Sequence, residues 1–188
     1  MVSATSFYTE EELSSLGLSS YGRNVLISRF ARFYSCDQIC IGDNVRIDDF
    51  CILSGKIKIG SNVHIAAYCA LYGANGIEFM DNSGCSARTT IYSVMDDFSG
   101  DYLVGPMQPK HLTNVSGGKV TIGEYAQLGA NCVVFPNLTI GEGAVVGAMS
   151  LVKKDVPEWK IYAGIPVKVI KDRSQNLLYG NGNTDVCM

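Results

Sequence analysis

The sequence reads IGDNVR-IDDFCI-LSGKIK over residues 41–58 and IGSNVH-IAAYCA-LYGANG over residues 59–76. The first position of almost every six-residue unit is branched or bulky and apolar, and the fifth is usually small or branched. A period of six fits neither an amphipathic helix with 3.6 residues per turn nor a strand of alternating polarity. Three units make a coil of three short strands and three turns, and each coil buries its apolar edge only against neighbouring coils.

The same pattern extends in both directions from these two coils. After a two-residue insertion at Ile77 and Glu78 it continues as FMDNSG-CSARTT-IYSVMD, and it resumes later at IGEYAQ-LGANCV-VFPNLT and IGEGAV-VGAMSL-VKKDVP. A weaker copy begins at Tyr21, which gives about six coils between Tyr21 and Pro157. The pattern therefore predicts an all-β parallel β-helix. A right-handed β-helix or a leucine-rich repeat is the alternative, but the periods of those folds are longer than six.

Composition narrows the classes that this chain can belong to. Of its 188 residues 47% are hydrophobic and 18% are charged, which is typical of a globular domain. The net charge of -3 provides no basic field for nucleic acid. No apolar run reaches the roughly 18 residues of a membrane helix, and the first twelve residues do not resemble a signal peptide. Seven cysteines, mostly in apolar stretches, indicate free thiols in a reducing cytoplasm.

Three segments follow from the extent of the repeat. Residues 1–20 form a capping segment, with a helix predicted over residues 7–17 because Thr9 and Glu12 make a capping box. Residues 21–172 form the β-helix, interrupted by an excursion loop at 97–118 that contains glycines, prolines, acids and aromatics. A loop of this length is usually functional, although a tolerated solvent loop is the alternative. Residues 173–188 are polar and predicted to be a flexible tail.

The runs IGDNVRI, IGEYAQLGANCVV and IGEGAVVGAMSLVKKDVP, with the tail WKIYAGIPVKVIKDR, resemble the hexapeptide-repeat acyltransferases over roughly residues 8–173. The tail is most similar to the sugar O-acetyltransferase branch, which includes galactoside and maltose acetyltransferases and enzymes of lipopolysaccharide assembly. The resemblance implies a left-handed coil, acetyl-CoA as acyl donor, and a homotrimer with active sites between subunits that the excursion helps to wall. We therefore expect a cytoplasmic enzyme that acetylates a sugar hydroxyl, on a nucleotide- or lipid-linked acceptor, in lipopolysaccharide or O-antigen biosynthesis.

The transfer requires a base that takes the proton of the attacking group and a hydrogen-bond donor that stabilises the developing oxyanion. His64 and His111 are the two histidines of the chain. His64 occupies the sixth position of its unit, so its side chain is predicted to point away from the core. The coil arithmetic places Arg46 one coil earlier, with Asp48 and Asp49 nearby. We expect His64 to be the base, and an interface histidine without a catalytic role is the alternative.

The family resemblance leaves the identity of the base open. In the galactoside-type enzymes the catalytic histidine lies at the mouth of the excursion, where this chain has Asp96 and Asp97. Carboxylates of ordinary pKa are weak bases for a hydroxyl. We therefore rank His64 first and His111, which lies within the excursion, after it. Asp49, Asp96 and Asp97 are predicted to bind or orient the substrate.

The site for the acyl donor is predicted from a resemblance: the segment GAMSLVKK at 147–154 is similar to the GAGSxVxK segment of the family. The resemblance implies that the pantetheine arm of acetyl-CoA lies against small residues, here Gly129, Ala130 and Ala148. The phosphates would meet the lysines of the last coil and the tail, because phosphates favour clustered cations: Lys153, Lys154, Lys168 and Lys171. Solvated lysines near a chain end are the alternative.

Three other functions compete with O-acetylation. N-acetylation of a nucleotide-linked amino sugar uses the same coil, and the sequence does not separate the two reactions cleanly. A zinc carbonic anhydrase of this fold needs three histidines, whereas this chain has two and no spacing typical of a metal site, so no metal is expected. A non-catalytic scaffold would have no reason to carry paired lysines and a long loop at fixed places.

Overall fold

The computed structural model describes residues 6–179 as a left-handed parallel β-helix of about six coils, as predicted. Each coil passes through three sheet faces. The first face contains strands Ser20–Tyr21, Ile39–Ile41, Val120–Ile122 and Leu138–Ile140. The second face contains Leu26–Ile27, Arg46–Ile47, His64–Ile65, Gly84–Cys85, Gln127–Leu128 and Val145–Val146. The third face contains Arg32–Tyr34, Thr90–Tyr92, Val133–Val134 and Leu151–Val152.

Two longer strands, Ile52–Ile59 and Ala70–Phe79, run along the third face and continue around the next corner onto the first face. Their register corrects the predicted position of the insertion. Ile57 pairs with Ile77 and Ile59 with Phe79, so the extra residues lie in the corner at 74–76 rather than at Ile77 and Glu78. A corner absorbs two residues without moving the apolar side chains, whereas an insertion within a strand would shift its register.

The core is a stack of apolar layers inside the triangle. Every coil places one apolar side chain inward from its second-face strand, and these are almost fully buried: Ile27, Ile47, Ile65, Cys85, Leu128 and Val146. The first and third faces contribute equivalent columns, with Phe79 as the largest fully buried side chain. The cysteines predicted to be internal are buried free thiols: Cys51, Cys69, Cys85 and Cys132. The six-residue period thus corresponds to one inward residue per strand.

Two of the three corners hold a residue with positive φ in most coils, and its N–H bonds to a carbonyl of the preceding coil. The asparagine corner, between the first and second faces, consists of Asn24, Asn44, Asn62 and Asn82. Their side-chain amides form a continuous hydrogen-bonded ladder with distances of 2.9, 3.1 and 3.0 Å. The aromatic corner, between the second and third faces, consists of Phe30, Phe50, Tyr68 and Arg88.

The N-terminal helix spans Glu10–Ser14, which is shorter than the predicted 7–17. Its predicted capping box is present, since Thr9 accepts from the Glu12 N–H and Glu12 accepts from the Thr9 N–H at 2.7 Å. Leu13 is buried against the first coil, so the helix covers the open end of the core. Glu12 also forms an ion pair with Arg29, which fastens the helix to the coil.

The excursion leaves the coil after Tyr92 as an antiparallel pair of strands, Val94–Asp96 and Val115–Gly117, so its stem begins before residue 97. A 3₁₀ turn at Lys110–Leu112 lies near its far end. After the last coil, strands Lys160–Gly164 and Val167–Asp172 form an antiparallel hairpin on the second face. The predicted flexible tail begins with a described 3₁₀ turn, Asn176–Tyr179, and its remainder, 180–188, lies outside the described residues.

Candidate active site

His64 lies on the outer surface of the second face, as its position in the repeat predicted. The next residue, Ile65, is fully buried, and strand alternation therefore turns the imidazole outward, where 54% of its side chain is exposed. Arg46 pairs with His64 on one side and Gly84 pairs with it on the other. Gly84 has no side chain, and Gln127 of the next coil extends beside it, with its Oε1 3.2 Å from the position that a Cβ on Gly84 would take.

Asp48 holds the imidazole in place. Its Oδ2 lies 2.7 Å from His64 Nε2, and its Oδ1 accepts a hydrogen bond from Arg46 Nε at 2.7 Å. Burial acts to raise the pKa of Asp48, but the hydrogen bonds from His64 and Arg46 lower it overall. A neutral ring that donates its Nε2–H to this carboxylate keeps a free lone pair on Nδ1. The arrangement orients a base on the outer face of the coil.

Asp49 is directed away from this cluster. The Ser28 hydroxyl donates to Asp49 Oδ1 at 2.5 Å, and Ser28 itself is buried. The Asp49 carbonyl accepts from the N–H of Tyr68 at the aromatic corner. The carboxylate predicted to bind substrate is therefore engaged within the coil, and the neighbouring Asp48 is the one that contacts His64.

Small residues form a groove along the second face beside the aromatic corner. This small-residue groove consists of the two residues that follow each second-face strand on coils four to six: Ser86, Ala87, Gly129, Ala130, Gly147 and Ala148. It contains the three residues predicted to accommodate a pantetheine arm. A Cβ on Gly129 would lie 2.5 Å from the Ala148 nitrogen, so stacking of the coils itself requires this glycine. The groove runs from the last coils toward His64.

Three of the four predicted lysines come together beyond the groove. Lys153, Lys154 and Lys168 line a cavity of about 320 Å³ with Pro166 and Val167. Lys171 lies on the same strand as Lys168 but does not line this cavity. Lys153 also packs over the Phe135 ring, 5.7 Å from its centroid. The three ammonium groups form a site that suits a phosphate-bearing ligand.

The carboxylates at the mouth of the excursion have different surroundings. Asp97 accepts hydrogen bonds from the Ser99 N–H and the Asn114 amide, both at 2.8 Å. Hydrogen bonds from Ser99 and then from Asn114 lower the pKa of Asp97, which keeps it charged and closes the loop. Asp96 makes no side-chain hydrogen bond with any other residue of the described part of the chain. Of the two predicted substrate-binding residues here, only Asp96 has a free carboxylate.

His111, the second predicted base, lies in the exposed turn Lys110–Leu112 of the excursion. Within residues 6–179, no three His, Cys, Asp or Glu side chains are grouped so that they could hold a metal ion. None of the helices in that range has the length and hydropathy needed to span a bilayer.

Comparison with known proteins identifies the repeat. Residues 41–73 match the family model described as bacterial transferase hexapeptide (six repeats). The dTDP-4-amino-4,6-dideoxy-D-glucose acyltransferase of Escherichia coli is 41% identical over 175 residues, which cover 92% of this chain and 91% of that protein. The galactoside O-acetyltransferase of Escherichia coli is 42% identical over 53 residues only, 28% of this chain and 26% of that protein.

Crystal structures of AntD, an N-acyltransferase from Bacillus cereus, are similar over almost the whole chain. The complex of AntD with dTDP and 3-hydroxybutyryl-CoA is 51% identical with a TM-score of 0.92, covering 94% of each chain. A variant of AntD in complex with dTDP-4-amino-4,6-dideoxyglucose and coenzyme A has the same identity and TM-score over 93% of this chain and 94% of that chain. Both the fold and the order of the coils are shared along this length.

Proposed function

This chain belongs to the hexapeptide-repeat acyltransferases, and from that premise we propose that it transfers an acyl group from acyl-CoA to the amine of a nucleotide-linked 4-amino-4,6-dideoxy sugar. The observation that carries the proposal is the near full-length similarity to two proteins that act on or bind this class of acceptor, the Escherichia coli acyltransferase and AntD. Acetyl-CoA is the proposed donor, and AntD has been crystallised with 3-hydroxybutyryl-CoA.

An amine acceptor replaces the hydroxyl acceptor expected from the sequence. The resemblance to O-acetyltransferases rested on the repeat and the tail, and the galactoside enzyme matches only about a quarter of the chain. N-acylation, the alternative considered beside it, agrees better with the relatives that match more than nine tenths of the chain. The repeats are shared by both branches, so they do not distinguish an oxygen nucleophile from a nitrogen.

The proposed donor site combines the small-residue groove with the lysine cavity. A pantetheine arm lying along Gly129, Ala130 and Ala148 would meet no large side chain, and backbone groups at the corner would be within its reach. The phosphates of the donor would then meet Lys153, Lys154 and Lys168. Lys171 is proposed to contribute only long-range attraction, because it does not line the cavity.

The proposed acceptor site includes Ser86, which no motif in the sequence marked. The AntD variants replace one serine and one aspartate that are ten positions apart in that chain. In this chain Ser86 and Asp96 are the one serine–aspartate pair with that separation and order. Ser86 is exposed at the start of the small-residue groove, and Asp96 has the free carboxylate. We assign both to the sugar amine and its surroundings.

The reaction requires few groups. The amine nitrogen bonds to the thioester carbonyl carbon, and the carbonyl electron pair moves onto oxygen. Collapse of this adduct breaks the C–S bond, and the sulfur of CoA leaves with the electron pair and takes up a proton. His64 Nδ1 is proposed to accept the proton that the amine loses, while Asp48 stabilises the resulting imidazolium. Asp96 attracts the amine before it is deprotonated.

We further propose a homotrimer, for which the outer surfaces of the faces provide support. After Arg32 on the first coil, the outer column of the third face is uncharged and mostly apolar: Ile52, Ala70, Thr90, Val133 and Leu151. The first face instead carries the ion pairs of Glu78 with Lys58 and Lys119. Packing of the third faces around an axis would place the aromatic corner of one subunit beside the excursion of its neighbour. The partner subunit's Asp96 would then face the groove.

The biological setting is proposed from the same relatives. A putative lipopolysaccharide biosynthesis O-acetyl transferase of Escherichia coli K12 is 39% identical over 71 residues, 38% of this chain. We therefore assign the product to surface polysaccharide synthesis. The free cysteines of the described chain are compatible with a reducing compartment, and we assign the reaction to the cytoplasm.

The proposal is tested by mixing the protein with acetyl-CoA and measuring thiol release with matched acceptors. dTDP-4-amino-4,6-dideoxyglucose should be acylated, and the hydroxyl analogue dTDP-6-deoxyglucose should not. Mass spectrometry of the product locates the new amide. Turnover with a galactoside or with the hydroxyl analogue, but not with the amine, would contradict N-acylation and favour O-acylation. If the protein bound no acyl-CoA at all, the proposed donor site would be refuted as well.

A further inference from the structure

The inner side of the aromatic corner carries a column of short side chains that can donate a hydrogen bond. From the second coil to the sixth, the residue that follows the positive-φ position at this corner is buried in the core: Cys51, Cys69, Thr89, Cys132 and Ser150. At the asparagine corner the equivalent buried residues are mostly apolar, with Ser83 on the fourth coil as the exception: Val25, Val45, Val63, Ala126 and Ala144. Thiols and hydroxyls therefore accumulate behind one corner, the corner along which the small-residue groove runs.

Four of these side chains hold a main-chain carbonyl of the next coil. The Thr89 hydroxyl donates to the Gly129 carbonyl at 3.1 Å. Thiols on other coils make the same contact at 3.1, 3.3 and 3.2 Å: Cys51 with Ala66, Cys69 with Ser86 and Cys132 with Gly147. Because a thiol is a weak donor, the hydroxyl of Thr89 makes the strongest of the four hydrogen bonds. Three of the held carbonyls belong to the first residues of the pairs that form the small-residue groove: Ser86, Gly129 and Gly147.

Each held carbonyl turns the N–H of the following residue outward. In a trans peptide the C=O and N–H point in opposite directions, and the bond between Gly129 and Ala130 is trans. Because the buried Thr89 draws the Gly129 carbonyl inward, the Ala130 N–H is directed into the groove. The N–H groups of Ala87 and Ala148 are directed outward in the same way. Within residues 6–179 none of these three N–H groups donates a hydrogen bond, so each groove coil presents one free main-chain donor.

We propose that Thr89 is a positioning residue of the acyl-donor site: its hydroxyl holds the Gly129 carbonyl and thereby aims the Ala130 N–H at an amide carbonyl of the pantetheine arm. The inference rests on the proposed acyl-CoA donor. Thr89 has no exposed surface, so it acts through the backbone and not by contact with the ligand. A main-chain donor that is fixed in advance needs no ordering when the ligand binds, which favours affinity. The thiols on the neighbouring coils have the same effect through weaker hydrogen bonds.

The test compares two buried hydroxyls of the fourth coil. Thr89→Val removes the hydroxyl and keeps the volume and branching of the side chain, whereas Thr89→Ser keeps the hydroxyl. Ser83→Ala is the matched control, because the Ser83 hydroxyl is buried and donates to the Met80 carbonyl at the asparagine corner. Calorimetry measures the binding of coenzyme A, thiol release gives KM and kcat, and urea denaturation shows that each variant is folded.

Thr89→Val should weaken the binding of coenzyme A about fivefold and raise the KM for acetyl-CoA by the same factor, which is the scale of one hydrogen bond. The kcat and the KM for the amino sugar should change less than about twofold, because an interaction made equally in the ground state and the transition state affects the KM of its own substrate alone. Thr89→Ser should bind coenzyme A as the wild type does. Ser83→Ala should lose stability without a change in either KM.

The contrary results can be told apart. If Thr89→Val binds coenzyme A as tightly as the wild type, and the wild type acylates the amino sugar, the proposed function stands and Thr89 serves only the fold. If Thr89→Ser is impaired as much as Thr89→Val, or Ser83→Ala raises the KM for acetyl-CoA equally, the Thr89 hydroxyl does not position the groove and the inference is overturned. If the wild-type protein binds no coenzyme A and no acetyl-CoA, the proposed donor site and this inference both fail. Should Thr89→Val not fold, Cys132→Ala and Cys132→Ser make the same comparison at the Gly147 carbonyl: alanine should weaken coenzyme A binding and serine should not, and equal binding by both would overturn the inference.

Discussion

The asparagine corner and the aromatic corner solve the same backbone problem with opposite side chains. At both corners a residue adopts positive φ and donates its N–H to a carbonyl of the preceding coil. On coils one to four the asparagine corner uses a residue that this conformation favours, and its amides bond to one another along the stack. Further along the β-helix the same corner carries Tyr125 and Trp159, also at positive φ. The aromatic corner uses Phe50, Tyr68 and Arg88, which this conformation disfavours, and leaves their surfaces exposed.

The contrast lies in what the side chains contact: the asparagine amides bond to one another along the stack, whereas the rings of the aromatic corner stack on one another and leave their edges exposed. The candidate site lies nearer to the aromatic corner. The second face between the two corners carries His64, and Asp48 and Ser86 follow its strands toward the aromatic corner. The small-residue groove continues along the same corner on later coils. The asparagine side carries side-chain ladders that bond only to one another and to the coil.

The largest expected effect is on the acyl transfer itself, for which His64 is the candidate base. His64→Ala should lower kcat/KM for the amino sugar by about 100-fold or more, because a positioned base typically contributes 10²- to 10⁴-fold. Thiol release under saturating acetyl-CoA measures the change. Asn62→Ala, on the same coil at the asparagine corner, is the matched control and should change the rate less than about twofold.

If the His64→Ala protein were fully active with an unchanged oligomeric state, we would infer that the base lies in the excursion. His111→Ala and Asp96→Asn would then be compared in the same assay. Loss of activity in both His64→Ala and Asn62→Ala would instead indicate that the coil itself is disturbed, and the division between the corners would not hold.

The second prediction compares two carboxylates of the second coil. Asp48→Asn should lower kcat about tenfold, because the imidazolium formed during transfer loses the charge that stabilises it, while both KM values stay constant. Asp43→Asn is the control, since Asp43 pairs with Arg23 at the asparagine side of the same coil. Hydrogen bonds lower the pKa of Asp43 and, against the effect of burial, that of Asp48, so both stay charged near neutral pH. Equal losses in the two variants would refute a positioning role for Asp48.

The fold could be predicted almost completely from the sequence because the repeat leaves one arrangement for its apolar residues. One inward residue per strand fixes the coil length, and the pairing of Arg46 with His64 followed from counting 18 residues. The capping box of Thr9 and Glu12 was equally local and was confirmed. The exact place of the insertion at 74–76 was missed, since apolar spacing constrains strands and leaves corners free.

The candidate site was predicted less well because it depends on contacts between coils. Asp48 and Asp49 are equivalent in the sequence, and only the structure shows that one contacts His64 while Ser28 engages the other. Ser86 has the same place in its coil as Asp48 and Ala66, and this equivalence can be read from the repeat. The aromatic corner was also missed, although Phe50 and Tyr68 are 18 residues apart and the counting that paired Arg46 with His64 places them one above the other.

The third prediction concerns the stability that the asparagine ladder provides. Asn62→Ala should lower the free energy of unfolding by about 1 kcal/mol, since it removes hydrogen bonds to Asn44 and Asn82 and places alanine at positive φ. Urea denaturation measures this change. Asn62→Gly should lose less, because glycine tolerates the backbone. An alanine variant as stable as the wild type would show that the ladder contributes little to the free energy of unfolding.

The smallest expected effect concerns the helix that is fastened beside the aromatic corner. Hydrogen bonds from Arg29 and Thr9 lower the pKa of Glu12 from 4.5 to about 2. Because the folded pKa is below the unfolded one, ionised Glu12 stabilises the fold fully above about pH 4.5, and this contribution disappears as the pH falls toward 2. Glu12→Gln should therefore lower Tm by no more than about 2 °C at pH 6, and the difference should shrink steadily in scans from pH 5 to pH 2.5. Glu10→Gln, two residues earlier on the same helix and without this ion pair, is the control. A difference that stays constant with pH would mean that the Glu12–Arg29 pair does not hold the helix, and that apolar contacts such as that of Leu13 with the core anchor it.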